Sequence, residues 1–257
     1  MSVKFTILGC GYSFGVPRID GSFGKCNPSN IKNYRTRCSA LISTSRMNIL
    51  IDTSPDIKLQ LIKNKIKNIN KIFYTHPHAD QTHGINEMRF FYLKNKSKIP
   101  VYADKNTKKY LISAFKYCFK KTSNYPPTLK MNSLKKYHRI GLGKNKITLK
   151  CIKVKHGKID SISYIINNKC AYASDVSKIY FRDLDEFKNL KYLVIDCLRY
   201  KYHPSHYNLR DILKLVKLIN PRKTILTNLN NEIDYLKIKN KLPKNIIPAY
   251  DGLSFNL

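Results

Sequence analysis

Thr75-His76-Pro77-His78-Ala79-Asp80-Gln81 decides how this chain is read. The apolar run Lys71-Ile72-Phe73-Tyr74 before it has the pattern of a buried strand, which then ends in a loop carrying two imidazoles and a carboxylate. Side chains at i and i+2 of an extended segment point the same way, so His76 and His78 can share one cation. Asp80 is badly placed for that ion but within reach of a second one beside it. Ligands packed this densely at the end of a buried strand are costly unless a cation compensates them. That argument outweighs the duller reading of a polar turn.

Working outward, the 257 residues suffice for one large α/β domain spanning 1–257. No apolar leader and no run of about 18 apolar residues is present, so a cytoplasmic protein with no membrane partner is expected. The cysteines at 10, 26, 38, 118, 151, 170 and 197 form no C-x-x-C pair, and several sit in apolar strand-like runs. Buried free thiols in a reducing compartment follow.

The formal charge of +32 attracts phosphates at long range. Its lysines are spread along the chain among Ile, Asn and Tyr, as in proteins from AT-rich genomes, and no segment interleaves them with aromatics as a base-stacking platform does. A small anionic substrate is therefore expected ahead of nucleic acid as partner. A homodimer is compatible with the sequence.

Val3–Leu8 reads as a first strand that breaks at Gly9 and Gly11, followed by an irregular loop to Arg37 whose length is typical of functional loops. Cys38–Ser43 and Asn48–Asp52 read as a hairpin, with Asp52-Thr53-Ser54-Pro55 capping a helix to about Lys65. Helices are predicted over Ile85–Lys94, Asn106–Lys121, Leu209–Ile219 and Ile233–Lys241. Strands are predicted at Ile99–Ala103, Ile147–Val154, Ser161–Ile166, Cys170–Ala173, Tyr192–Ile195 and Lys223–Leu226. Strand-rich halves with helices between them imply two sheets with helices packed outside.

Polar residues recur where these strands end: His156, Asp175, His203 with His206, and Asn228. Strand ends converge on one edge of a sheet, where α/β sites gather. Each has a structural competitor: a hydrogen-bonded surface histidine for His156, a helix cap for Asp175 and His206, a turn for Asn228. His83 is expected to face the helix it starts, and His138 the surface.

The spacing His76-x-His78-x-Asp80, then His156, then Asp175 resembles the metallo-β-lactamase superfamily. Within it, Gly9-Cys10-Gly11-Tyr12-Ser13-Phe14-Gly15-Val16-Pro17, His78-Ala79-Asp80-Gln81-Thr82-His83-Gly84-Ile85 and His203-Pro204-Ser205-His206-Tyr207-Asn208-Leu209 resemble the phosphoribosyl cyclic phosphate phosphodiesterases of phosphonate catabolism. Those enzymes are relatives of the tRNA 3′-processing nucleases. The resemblance implies an αββα sandwich of two mixed β-sheets with helices on the outer faces. It also implies one or two divalent ions, Mn²⁺ or Zn²⁺. His76, His78, His156 and Asp175 would hold the first; Asp175, Asp80, Gln81 and Asn228 would surround the second. Family members have histidines where this chain has the amides Gln81 and Asn228, and amide oxygen is the weaker and harder donor.

The activity implied is hydrolysis of a small phosphodiester or cyclic phosphate by a metal-bound hydroxide. Asp80 would orient the hydroxide or take its proton, and His206 would sit at the phosphate and protonate the leaving oxygen. The family's structural zinc needs a cysteine cluster, but this loop holds only Cys26 and Cys38, with Asn231 near the place of a late histidine, so no structural zinc is expected. Arg35 and Arg37 are instead candidate phosphate ligands. The Gly11–Arg37 loop and Tyr125-Pro126-Pro127 are expected to wall the pocket. The alternatives are a tRNA 3′-processing-like nuclease and a non-catalytic binding protein with a degraded second metal site.

Overall fold

A computed structural model of the chain describes residues 3–122, 125–143 and 146–257. In chain order the first strands are β1 (Lys4–Gly9), β2 (Ser39–Ser43), β3 (Asn48–Ile51), β4 (Lys71–Phe73), β5 (Ile99–Ala103) and β6 (Leu129–Ser133). They lie side by side in that order, antiparallel up to β3 and parallel from β3 to β6. The next are β7 (Tyr137–Ile140), β8 (Ile147–His156), β9 (Ile159–Ile166), β10 (Cys170–Ala173), β11 (Tyr192–Asp196), β12 (Lys223–Thr227) and β13 (Ile246–Pro248). They form a second mixed sheet, again in chain order, and β14 (Ser254–Asn256) returns to the first sheet beside β1.

The period of two along the strands explains why the sheets stack. In β3, Ile49 and Ile51 face a core shared with Tyr172, Val194 and Ile225 of the other sheet. Leu50 between them faces outward, against Ile57, Leu61 and Met88. The second sheet repeats this: Val194 points to the central core, while Leu193 and Ile195 meet Ile212, Leu215 and Val216. With both faces covered, these strands are apolar throughout.

The outer layers contain α1 (Ile57–Lys63), α2 (Ala79–Thr82), α3 (Arg89–Asn95), α4 (Lys105–Ala114), α5 (Lys116–Phe119), α6 (Leu209–Ile219) and α7 (Tyr235–Lys239). In α6 the buried positions Ile212, Leu215, Val216 and Ile219 follow the helical period. Asn208 caps its first turn by accepting from the Asp211 amide, and Asn220 ends it in the left-handed region at φ 48°. Among the described residues, no helix is long and apolar enough to cross a membrane.

Several boundaries differ from the sequence reading. Asp52 does not cap α1, which starts at Ile57; Asp52 is buried at φ 61° and accepts hydrogen bonds from Thr75 instead. The helix predicted from Asn106 breaks at Phe115 (φ −123°) into α4 and α5. Ile85–Met88 is a 3₁₀ turn leading into α3, and α7 is shorter than its apolar pattern. The strands β6, β7, β13 and β14 were not foreseen. They lie at sheet edges, where one side of the strand needs no partner and hydrophobic patterning is weak. His138 is not a plain surface residue: its ring lies 5.0 Å from those of Phe73 and Tyr102, and its Nε2 accepts from the Lys135 amide.

Candidate metal centre

The opening motif follows β4, and Asp52 sets its geometry. Its carboxylate accepts from the Thr75 amide and hydroxyl, both at 2.8 Å. Thr75 Oγ1 in turn lies 3.0 Å from His76 Nδ1, leaving His76 Nε2 to face His78 Nδ1 at 3.0 Å. His156, the last residue of β8, gives its Nδ1 hydrogen to Ser205 O at 2.7 Å and turns Nε2 to within 3.4 Å of His78 Nδ1. One ligand nitrogen from each ring therefore falls in a cluster less than 4.8 Å across.

Burial pushes the His76 imidazole down to about 3 and lowers His78 and His156 as well, so all three are neutral and have a lone pair free for a cation at neutral pH. Gly157 keeps this corner open: it sits at φ 58°, and a Cβ there would come 2.8 Å from Ser205 Oγ.

Asp175 follows β10, with Oδ1 at 3.9 Å from His156 Nε2. Both of its oxygens accept amide hydrogens: Oδ1 from Asn228 Nδ2 at 3.2 Å and Oδ2 from Gln81 Nε2 at 3.3 Å. Gln81 Nε2 also donates to Asp80 Oδ2 at 3.0 Å, and Asn228 Nδ2 to Ser174 O at 2.9 Å. Burial and the Asp175 charge push Asp80 up to about 7. Burial would raise Asp175 too, but the surrounding imidazoles hold it down as the ionised partner. Two carboxylates cannot both stay charged in so dry a place without a cation.

Three convergent imidazoles and a carboxylate fit a divalent ion. Gln81 and Asn228 also reach the centre, where their amide nitrogens donate to Asp80, Asp175 and Ser174 O.

His206 closes the cavity. Its Nδ1 lies 2.6 Å from Asp196 Oδ2, which also accepts from the Val176 amide at 3.0 Å. Burial alone would lower the pKa of His206, but the charge and hydrogen bond of Asp196, with Asp175 and Asp80, push it up to about 9. Asp196 was missed in the sequence, although it follows the apolar run Tyr192–Ile195 and so ends a strand like the other site residues. Arg199 was missed too. Among the described residues it is the one lysine or arginine lining the cavity of about 390 Å³ that holds His78, Asp80, Asp175 and His206. Its terminal nitrogen donates to Tyr202 O at 2.7 Å, while Nε is buried without a partner.

Arg35 and Arg37, the expected phosphate ligands, do not line this cavity; they line a neighbouring hollow that shares Phe14 with it. Arg35 is 1% exposed and reaches inward to Asn230 O and Asn33 Oδ1, both at 3.1 Å. Asn33 continues the chain of contacts to Asp234 Oδ2 at 2.7 Å. The irregular loop is thus pinned from within by a guanidinium. Arg37 is held by Asp56 through two side-chain hydrogen bonds. Cys26 Sγ faces Ile233 O and Cys38 Sγ faces Thr227. Tyr12, Ser13 and Phe14 wall the cavity as expected of their loop, but Tyr125 and Pro126 line a separate hollow with Arg89. His83 leaves the centre and meets the Tyr110 hydroxyl at 2.9 Å.

Two stacked mixed sheets, helices outside, and a histidine-carboxylate cluster at the strand ends define an αββα sandwich with a candidate metal centre. The chain belongs to the metallo-β-lactamase superfamily: the profile of the Beta-lactamase superfamily domain matches residues 47–227. A crystal structure described as a new diphosphatase from the PhnP family superposes with TM-score 0.90 at 28% identity, covering 100% of this chain and 98% of that one. Human tRNase Z, short form, shares the fold at TM-score 0.69 and 16% identity over 98% of both chains. An octanoyltransferase of Porphyromonas gingivalis is 29% identical over 98% of this chain and 51% of its own length. A ribonuclease Z of Prochlorococcus marinus is 30% identical over 55% of this chain and 46% of its own. The chain spans about half the length of these curated relatives.

Proposed function

We propose that the protein is a metal-dependent phosphodiesterase that hydrolyses a small phosphodiester or cyclic phosphate. One observation carries the reading: a single cavity of about 390 Å³ is lined by His78 and His156 of the imidazole cluster, by His206 with Asp196 behind it, and by an arginine with a free N–H. That volume suits a ligand of nucleotide size. The names diphosphatase and ribonuclease, carried by two of the similar proteins, support chemistry at phosphorus.

A Zn²⁺ or Mn²⁺ ion on His76, His78, His156 and Asp175 would acidify water and offset phosphoryl charge when bound. The remaining work belongs to this chain. Asp80, left as a carboxylate once the ion is bound, accepts a proton from the attacking water. His206 delivers a proton to the leaving oxygen, and Asp196 fixes its ring and its charge. Arg199 offers Nε–H to an anionic oxygen of the substrate.

Bis(p-nitrophenyl) phosphate with added Mn²⁺ or Zn²⁺ tests this. Turnover is expected to fall by a factor on the order of 10² or more in His78→Ala and Asp80→Ala. Absence of turnover in the parent protein, or turnover that survives both changes, contradicts it. A nuclease is the second reading, supported by the +32 charge and the ribonuclease Z similarity. Tight RNA binding that weakens steeply with salt would favour it.

A further inference from the structure

We infer that this chain is built to hold one divalent ion and not two, because the amide groups of Gln81 and Asn228 fill the place where a second ion would bind. The inference rests on the metal reading above and concerns how that centre is completed.

Asp175 is the carboxylate both ions would have to share. Its two oxygens already accept N–H groups, from Asn228 at 3.2 Å and from Gln81 at 3.3 Å. Gln81 bonds Asp80 with the same nitrogen at 3.0 Å. An amide presents the positive end of its dipole through those hydrogens, which attracts the carboxylates and repels a cation. To become ligands, both amides would have to turn over.

Asn228 cannot turn without loss. Its Nδ2 also donates to Ser174 O at 2.9 Å, so the turned amide would set oxygen against oxygen in a position 1% exposed. Its backbone, at φ 59°, leaves β12 in a fixed left-handed turn. Gln81 is fully buried and its Oε1 has no partner. Turning it would satisfy that oxygen on a cation but take its hydrogens from Asp80 and Asp175. A second ion would then have one neutral amide, Asp80 and a shared Asp175, a poorer set than the three imidazoles beside it.

Charge points the same way. Asp80 and Asp175 together balance one dication, and Arg199 already adds a positive charge to the cavity. A second dication would leave the dry pocket strongly positive. The amides supply in fixed form the partial charge that a second ion supplies when mobile.

Metal counting by native mass spectrometry tests this on the full chain, stripped of metal, equilibrated with excess Zn²⁺ or Mn²⁺ and exchanged into ion-free buffer. One ion per chain is expected, none in His156→Ala, and two in the double variant Gln81→His with Asn228→His. Two ions on the parent chain would overturn the one-ion inference while leaving the metal reading intact. No ion on the parent chain would overturn the metal reading itself. A folded double variant that stays at one ion would overturn the role given to the amides. Should that variant not fold, as judged by circular dichroism, the count on the parent chain decides alone.

Discussion

At the scale of single residues, His206 shows how a buried anion sets the protonation of its neighbour. With Asp196 2.6 Å from Nδ1, its pKa is raised to about 9, so it is protonated below that pH and loses the proton above; in the proposed reaction that proton goes to the leaving oxygen. Turnover is therefore expected to fall as pH rises through about 9. In Asp196→Asn the fall is expected to begin at lower pH, because a neutral partner no longer stabilises the imidazolium. A pH–rate profile with the same alkaline limb in both proteins would contradict this. In the proposed reaction Arg199 acts on binding, so Arg199→Ala is expected to raise KM by roughly 10- to 100-fold, the size of one charge-assisted hydrogen bond, with Arg199→Lys recovering part of it. An unchanged KM would remove Arg199 from the substrate. Asp80 sits at about 7 without a cation, so ion uptake displaces its proton and weakens as pH falls below that value. Calorimetric titrations at pH 6 and 8 should show weaker binding at the lower pH. Equal affinity would mean that Asp80 does not sense the ion.

At the scale of elements, the strand ends place the chemistry and the loops complete it. His76, His156, Asp175 and Asn228 were legible because each polar residue interrupts an apolar strand pattern at its carboxyl end. Asp196 obeys the same rule but is flanked by Cys197-Leu198, so the apolar run continues past it and hides the strand end. Arg199 was hidden for another reason: its role comes from a cavity formed by segments far apart in sequence, and one arginine among 48 basic residues carries no local signal. The orientation of the Gln81 and Asn228 amides is likewise a property of the fold, set by Ser174 O and two carboxylates. The long loop to Arg37 depends on Arg35. Replacing it with Ala would remove two buried charge-assisted hydrogen bonds, leaving Asn33 Oδ1 only the Tyr235 amide and Asn230 O only the long contact from the Ile233 amide, at a cost of about 3 kcal/mol. Urea denaturation should report that loss, and a midpoint within error of the parent protein would show that the loop is held elsewhere.

At the scale of the whole molecule, two sheets with both faces covered form a rigid frame, and every residue of the centre is fixed to its rim. Most of this architecture was readable, because fully buried strands are near-continuous apolar runs and α6 repeats its apolar face without interruption. The edge strands were not, since β6 (Leu129–Ser133) and β14 (Ser254–Asn256) pack on fewer sides and need less patterning. The charge of +32 is carried mainly by exposed lysines and leaves one arginine in the cavity.

The central claim is a single ion held by three imidazoles and one carboxylate beside amides that do not ligate it. X-ray absorption at the zinc edge of the Zn²⁺-loaded protein tests it most directly. The expected spectrum fits three imidazole nitrogens and light oxygen scatterers, with no metal–metal vector. A metal–metal vector near the spacing of paired-ion sites, roughly 3.5–4 Å, or a fit with fewer than three imidazoles, would contradict the account.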